Sequence, residues 1–354
     1  MSASIVEAVR AIRTSAAVAR ADWIQAVRLS GPDAFDVLDV TCSSDVFLRD
    51  GQVLHTLFLD ESARPLADVL ICRDDEAFFV LAEGLAATEL ADFLTSHAPV
   101  GASFAVDSLE ATHSMASVDG PYAWELLGEV LGPDVGSLPY RTFFHVCGGI
   151  CARLGKTGEF GYLLLLPKTT LSETHQRLLE LGVRYDVAEA SVEALDLCAL
   201  ENWFFSIRHP IPPGVTPIEL QLQWRVSYRK PYAGSLALAE RRARGTVSRA
   251  TMLISRSELT RGAPVHLAGR EIGSVYHSGR SEARGDFVSL ALLEKPFACS
   301  GVSLYSAGLV GTPVRTISPP ALDNRSLFVD PRRHTYHHRD DSRTPDLVPA
   351  GQRW

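Results

Sequence analysis

FHVCGGICARLGKTGEFGYLLLLP (residues 144–167) reads as two apolar strands joined by the glycine-rich turn LGKTGEFG. The GKT inside that turn is not a phosphate-binding loop: the pattern needs a glycine five residues before the GK, and residue 150 is Ile. Working toward the C-terminus, residues 171–182 and 191–203 have helical spacing. Toward the N-terminus, HSMASVDGPYAWELLGEVLG (113–132) is a strand, a Gly-Pro turn and a helix, and residues 86–97 form another helix. VLHTLFLDESARPLADVLICRDDEAFFVLA (53–82) gives three strands, with polar clusters at 60–62 and 73–76 marking two hairpin turns. Residues 5–20 put apolar side chains at 5, 8, 9 and 12, the spacing of a helix. WIQAVRLSG (23–31) alternates like a strand, and 33–41 returns to helical period.

After about residue 240 the pattern changes to short strands with Gly and Pro turns, from ATMLIS (250 onward) to TPVRTIS (312 onward), as expected of a small β-barrel or sandwich. The last stretch, 321–354, is charged, holds His334, His337 and His338, and is expected to be an extended polar tail. HTYHH lacks a carboxylate or cysteine at ligand spacing, so no metal is expected.

With 34 Lys+Arg against 42 Asp+Glu the chain of 354 residues carries a formal charge of −8 and no basic stripe, which argues against a nucleic-acid partner. No apolar run is long enough to span a bilayer. The N-terminal stretch, interrupted by Arg10, Arg13 and Arg20, does not read as a secretory signal. Six irregularly spaced cysteines read as buried reduced thiols, and a cytoplasmic setting is expected. Motif chemistry alone stops at an α+β protein of two or three domains.

Four stretches, in order, resemble the folate-binding family of the glycine cleavage T-protein (aminomethyltransferase). GQVLHTLFLDESARPLADVLI (51–71) is similar to its G-G-x-x-D-D strand pair, and LGKTGEFGYLLLLP (154–167) to its T-G-Y-T-G-E-x-G-Y-E turn. ALDLCALENWFFSIRHPIPPGVTPIELQLQW (194–224) is similar to its A-R-D-x-L-R-L-E-A-G segment, and REIGSVYHSGRSEARGDFVSLALLEK (270–295) to a run in its C-terminal barrel. The resemblance implies a three-subdomain ring around a central channel. Residues 1–240 would be the folate-binding region, two intertwined subdomains with the middle one at about 50–135; 241–320 would be the C-terminal β-barrel.

It also implies site residues. Glu201 falls at the glutamate that pairs with the pterin edge, and a carboxylate accepting two parallel bonds suits that edge. Tyr162 and Trp224 fall at channel-lining positions, Glu83 at the channel asparagine, Asp119 at the glutamine of Q-G-P, and Glu159 in the glycine turn. The first of the family's two aspartates is Ala67 here. Strand alternation then turns Ala67 into the channel and the surviving Asp68 away, unless a slip or bulge restores it. The arginine of R-L-E is Ala199, and the tyrosine of G-Y-T-G-E is Lys156. His55, Asp68 and Tyr162 are the candidates for handling protons. Five acids at channel positions suggest an acidic channel.

The activity implied is tetrahydrofolate-dependent transfer of a methyl or methylene group, with tetrahydrofolate or 5,10-methylenetetrahydrofolate as cofactor and a small molecule as substrate. The substitutions point away from a true glycine-cleavage enzyme. A non-catalytic folate-binding or regulatory protein, or a folate-independent use of the same scaffold, are the alternatives. Oligomeric state is open.

Overall fold

The computed structural model describes residues 3–209, 211–306 and 311–341. Along the first half run α1 (Ala3–Thr14), β1 (Ala17–Arg20), β2 (Ile24–Ser30), α2 (Ala34–Thr41), β3 (Val53–Leu59), β4 (Pro65–Asp74), β5 (Ala77–Glu83), α3 (Ala87–Ser96), β6 (Ala105–Ser108), β7 (His113–Asp119) and α4 (Ala123–Leu131). Then come β8 (Phe143–Val146), β9 (Gly149–Arg153), β10 (Gly161–Pro167), α5 (Lys168–Gly182), β11 (Ala188–Glu189), α6 (Val192–Glu201) and α7 (Ser235–Arg244). The remainder is β12 (Ser248–Ser255), β13 (Pro264–Leu267), β14 (Arg270–Ser281), β15 (Asp286–Glu294), β16 (Ser303–Ser306) and β17 (Thr312–Ile317).

These strands make three bodies: a sheet ordered β3-β4-β5-β2-β6, a sheet ordered β11-β1-β7-β10-β9-β8, and a closed six-stranded barrel, β12-β15-β14-β13-β16-β17. This is the α+β architecture with a C-terminal barrel that the resemblance implied. The five-stranded sheet takes residues 24–108, inserted between β1 and β7 of the other sheet, so it begins and ends earlier than 50–135.

Alternation along the strands assigns each face. Val53, Leu70, Cys72, Phe79 and Leu81 pack across onto Met115, Phe143, Ile150, Leu163 and Leu165, so the two sheets lie face to face over one apolar layer. The outer face of the five-stranded sheet, including Ala67, Val69 and Ile71, is covered by α2 and α3 through Val37, Leu38, Leu90 and Leu94. The outer face of the other sheet, with Tyr162, Leu164 and Leu166, is covered by α4 and α5. α1 and α6 pack together through Ala8, Ile12, Ala194 and Cys198, and α6 also meets the barrel through Leu200.

Two expectations change here. The helix expected over 5–20 stops at Thr14, and Ala17–Arg20 becomes a strand between β7 and β11. Its alanines are the reason: Ala17 and Ala19 are small enough to lie under α1 and α6, while Val18 fills the opposite face. The tail, expected to be extended, is folded as far as it is described. Tyr336 is buried against Tyr122 and Tyr185, and Ser326 donates to Glu159. His334 Nδ1 accepts the Asp330 N–H at 2.8 Å; residues 342–354 lie outside the described residues. Of the cysteines, Cys42, Cys72, Cys151 and Cys198 are buried as expected, but Cys147 and Cys299 are exposed. Among the described residues no helix is long and apolar enough to cross a membrane.

Candidate functional site

The glycine-rich turn between β9 and β10 positions the first cationic group. Gly158 has φ 83, and a Cβ there would stand 2.3 Å from Asn202 Oδ1 and 2.6 Å from Asn324 Nδ2, so only glycine lets the turn close onto α6 and the tail. That seating aims Lys156 into the cleft between the sheets. Its Nζ donates to Asp68 Oδ2 at 2.6 Å and to Glu83 Oε1 at 2.7 Å. Asp68 shares the inward face of β4 with Leu70 and Cys72, while Ala67 packs among the helix-facing residues. The expected orientation of this pair is therefore reversed. The β3–β4 pairing carries a register shift between Phe58 and Leu59, just before Asp68 in the ladder.

Asp68 is the centre of a cation cluster. His55 Nε2 stands 2.6 Å and Arg225 Nη2 2.9 Å from Asp68 Oδ1, and Arg225 also touches the imidazole. Burial alone would raise the Asp68 pKa, but Arg225, His55 and Lys156 outweigh it and hold the carboxyl well below its usual range. Burial lowers the His55 pKa to about 4, against the pull of Asp68, so the ring is neutral at pH 7. Asp68 Oδ1 and the Arg225 guanidinium both meet Nε2 of this neutral ring. Lys156 is held above its ordinary pKa because Asp68 and Glu83 overcome the cost of burial. Two further nitrogens of buried Arg225, Nε and Nη1, have no hydrogen-bond partner among the described residues.

From Glu83 the ladder continues. Arg208 Nη1 donates to Glu83 Oε2, its Nη2 donates to Asp196 Oδ1, and its Nε reaches Asp196 Oδ2 at 3.3 Å. The Arg208 guanidinium lies 5.1 Å over the Trp23 ring. A cavity of about 70 Å³ opens here, lined by Trp23, Glu83, Asp119, Lys156, Ala199 and Arg208 among others. Burial raises the Asp119 pKa to about 6, although Thr157 Oγ1 donates to it at 3.0 Å. Three carboxylates (Asp68, Glu83, Asp196) thus alternate with Lys156, Arg208 and Arg225. The channel is charge-paired, not acidic as expected.

The remaining expected site residues stand elsewhere. Glu201 accepts from Arg13 Nη2 at 2.6 Å and from Ser281 Oγ at 2.5 Å, so both of its oxygens are engaged inside the protein. Glu159 is engaged by Arg13, the backbone N–H groups of Arg325 and Ser326, and Ser326 Oγ. Tyr162 faces the helix-covered side, where its hydroxyl donates to the Val135 carbonyl at 3.3 Å. Alternation along β10 sends Leu163, and not Tyr162, toward the cleft. Trp224 is 68 % exposed, because the short turn Gln223–Arg225 that buries Arg225 rotates its neighbour outward.

Arg13, Asp196, Arg208 and Arg225 were not anticipated. Three of them had a signal: Arg13 follows Ile12 on an apolar helix, Asp196 interrupts ALDLCAL, and Arg225 follows an alternating apolar stretch. A charge in such a setting is buried with partners or not at all. Arg208, in the irregular SIRHPIPP segment, had none.

The described parts are thus two face-to-face sheets, a closed barrel and a buried, charge-paired cleft lined in part by Ala199 of α6. Residues 1–230 match the GCVT N-terminal domain, and the chain belongs to that family. It is 25% identical to an aminomethyltransferase of Desulfitobacterium hafniense (strain Y51) over 311 residues, covering 85% of each chain. An aminomethyltransferase of Thermotoga maritima is 25% identical over 302 residues, with 82% of each chain covered. The crystal structure of glycine cleavage system aminomethyltransferase T from Bartonella henselae superposes with a TM-score of 0.79 at 23% identity, over 89% of both chains, and shows the same fold.

Proposed function

We propose that this protein is a tetrahydrofolate-dependent one-carbon transferase, T-protein-like in scaffold, acting on a small molecule. The observation that carries the reading is Asp68 facing the inter-sheet cleft, hydrogen-bonded to neutral His55, in a chain of the GCVT family. Relatives named aminomethyltransferase supply the reaction class.

The residues fit tetrahydrofolate in one place and not in another. Glu201 cannot offer its carboxylate to a pterin while Arg13 and Ser281 occupy both oxygens. Glu83 and Asp196 do fit: they already hold a planar N–C–N donor array, the Arg208 guanidinium, above Trp23. Bound tetrahydrofolate supplies the amine nitrogen that carries the one-carbon unit.

The chain's own groups do the rest. Asp68 and Arg225 hold the His55 ring in place, and the imidazole takes or returns the proton of the reacting amine. Lys156 and Arg225 keep Asp68 ionised throughout, so His55 is the group that changes charge. Packed sheets on either side exclude water and hold the reacting groups in one geometry. Ala199 and Lys156, standing at the family's arginine and tyrosine, support a substrate other than that of the glycine cleavage enzyme.

Titration calorimetry with 5-formyltetrahydrofolate tests the reading. Binding is expected in the wild type and in His55→Gln, with one-carbon turnover retained only in the wild type. Absence of heat with every reduced folate would sink it.

A further inference from the structure

A separate cavity of about 1040 Å³ shares no lining residue with the cleft. Its walls are the segment 227–234, one side of α7, the turn joining β3 and β4, and the C-terminal ends of α2 and α3. Ala233, on its wall, belongs to the apolar layer under those two helices, so the cavity opens on the helix-covered side of the five-stranded sheet. Arg229, Lys230 and Arg242 line it, against one carboxylate, Glu61, which is exposed and lies 3.7 Å from His97. Lys230 is held by Asp39 at 3.1 Å. Arg229 and Arg242 are in no ion pair among the described residues. In a chain of net charge −8, two unpaired guanidinium groups in one cavity are a local feature and not an overflow of basic residues.

We propose that this cavity is a binding site for a phosphorylated ligand carrying a planar ring, of the size of a nucleotide. Arg229 and Lys230 take the phosphate groups, and the ring lies on the layered side chains of Tyr228 and Arg242. The site is independent of the folate reading and uses none of the cleft residues.

Four features carry it. The guanidinium fork matches the oxygen pairs of a phosphate, and three cations in one cavity call for more negative charge than a single carboxylate supplies. The Arg242 guanidinium lies 4.1 Å from the centroid of the Tyr228 ring, which is 40 % exposed, so two flat groups already form a platform on which a third can stack. Ala239 and Ala243, one turn apart on α7, keep the wall beside Arg242 low enough for a ring to reach it. The frame is also fixed before any ligand arrives. Tyr232 donates its hydroxyl to the Ser227 carbonyl at 2.9 Å and its N–H to Ser235 Oγ at 3.2 Å. Gly234, at φ 79, lets the start of α7 close on the β3–β4 turn, where a Cβ would stand 2.3 Å from the Asp60 carbonyl oxygen.

Titration of the full chain with ADP, inorganic pyrophosphate and adenosine tests the site. ADP is expected to bind about tenfold more tightly than pyrophosphate, and adenosine not measurably. Arg229→Gln should weaken ADP and pyrophosphate alike, by about tenfold. Arg242→Lys keeps the charge but not the flat fork, so it should leave pyrophosphate binding in place and remove the preference for ADP. Both side chains are exposed, and thermal unfolding midpoints equal to that of the wild type would confirm that the variants are folded. Absence of ADP binding, equal affinity for ADP and pyrophosphate in the wild type, or ADP binding unchanged by Arg229→Gln overturns the proposal. 5-Formyltetrahydrofolate run in parallel keeps this site apart from the folate reading. Folate binding is expected to be the same in both variants as in the wild type, and its loss together with that of ADP would show one shared site and overturn a separate one. ADP binding without folate binding leaves this site standing and removes the folate function.

Discussion

His55 and Asp119 are displaced from their ordinary pKa values in opposite senses by the same cause, burial. His55 has a folded pKa of about 4, below the roughly 6.5 of a free imidazole. The unfolded chain therefore binds more protons between those values, and this contribution to stability is lost as pH falls from about 6.5 to 4. Asp119 is raised to about 6, so the folded state binds the extra proton, and stability is lost as pH rises from about 4 to 6. The two nearly cancel in the wild type. Asp119→Asn removes one of them and is expected to stabilise by about 2 kcal/mol at pH 7.5 and by far less at pH 4. Urea denaturation at both pH values checks this; equal changes would mean that Asp119 is ionised as readily folded as unfolded. Asp68 teaches a related lesson. Its place in the cleft follows from which strand face it occupies, and a shift of one residue would exchange it with Ala67.

The turn between β9 and β10 is the element on which the site depends. It joins three parts of the chain: Thr157 O accepts from Arg13 at 2.7 Å and from Asn202 at 2.8 Å, and Asn324 meets Asn202 at 2.6 Å. Gly158→Ala places a methyl group against both asparagines in a backbone conformation that disfavours it. The expected cost is about 2 kcal/mol or more, with Lys156 displaced from the cleft. Gly101→Ala is the control, since it also has positive φ (82) but nothing within 4 Å of the added carbon. Its cost is expected near 1 kcal/mol, from the backbone alone. Equal unfolding midpoints for the two variants would show that the contacts with Asn202 and Asn324 carry no weight. The strands flanking this turn were legible because their apolar runs are long and the glycines punctuate them. The early end of α1 was not, because SAAVAR is compatible with either a helix or a narrow strand and only the neighbours β7 and β11 choose.

At the scale of the whole molecule, Arg13 ties α1, the glycine turn, α6 and the tail together. It is 2 % exposed and bonds to Thr157, Glu159, Asn324, Cys198 and Glu201. Arg13→Met leaves two carboxylates buried without their cation and is expected to cost about 3–5 kcal/mol. Proteolysis within 322–341 should accelerate with it, because Asn324 loses its anchor. Adding Glu201→Met should recover part of the loss in thermal unfolding, since an apolar pair replaces an orphaned charge. No recovery would indicate that Glu201 is used for something other than pairing with Arg13. Four motif stretches carried the family resemblance; from its periodicity the sequence by itself determined most of the helices and strands and the change to short strands after about residue 240. Those depend on local periodicity and turn residues, which each segment carries within itself. Tertiary structure alone decided which acids face the cleft and which cations meet them. Arg13 meets Glu201 across 188 positions, Arg225 meets Asp68 across 157, and Arg208 meets Glu83 across 125. Such pairings leave no local pattern; they exist only once the two sheets, α6 and the barrel have closed around them.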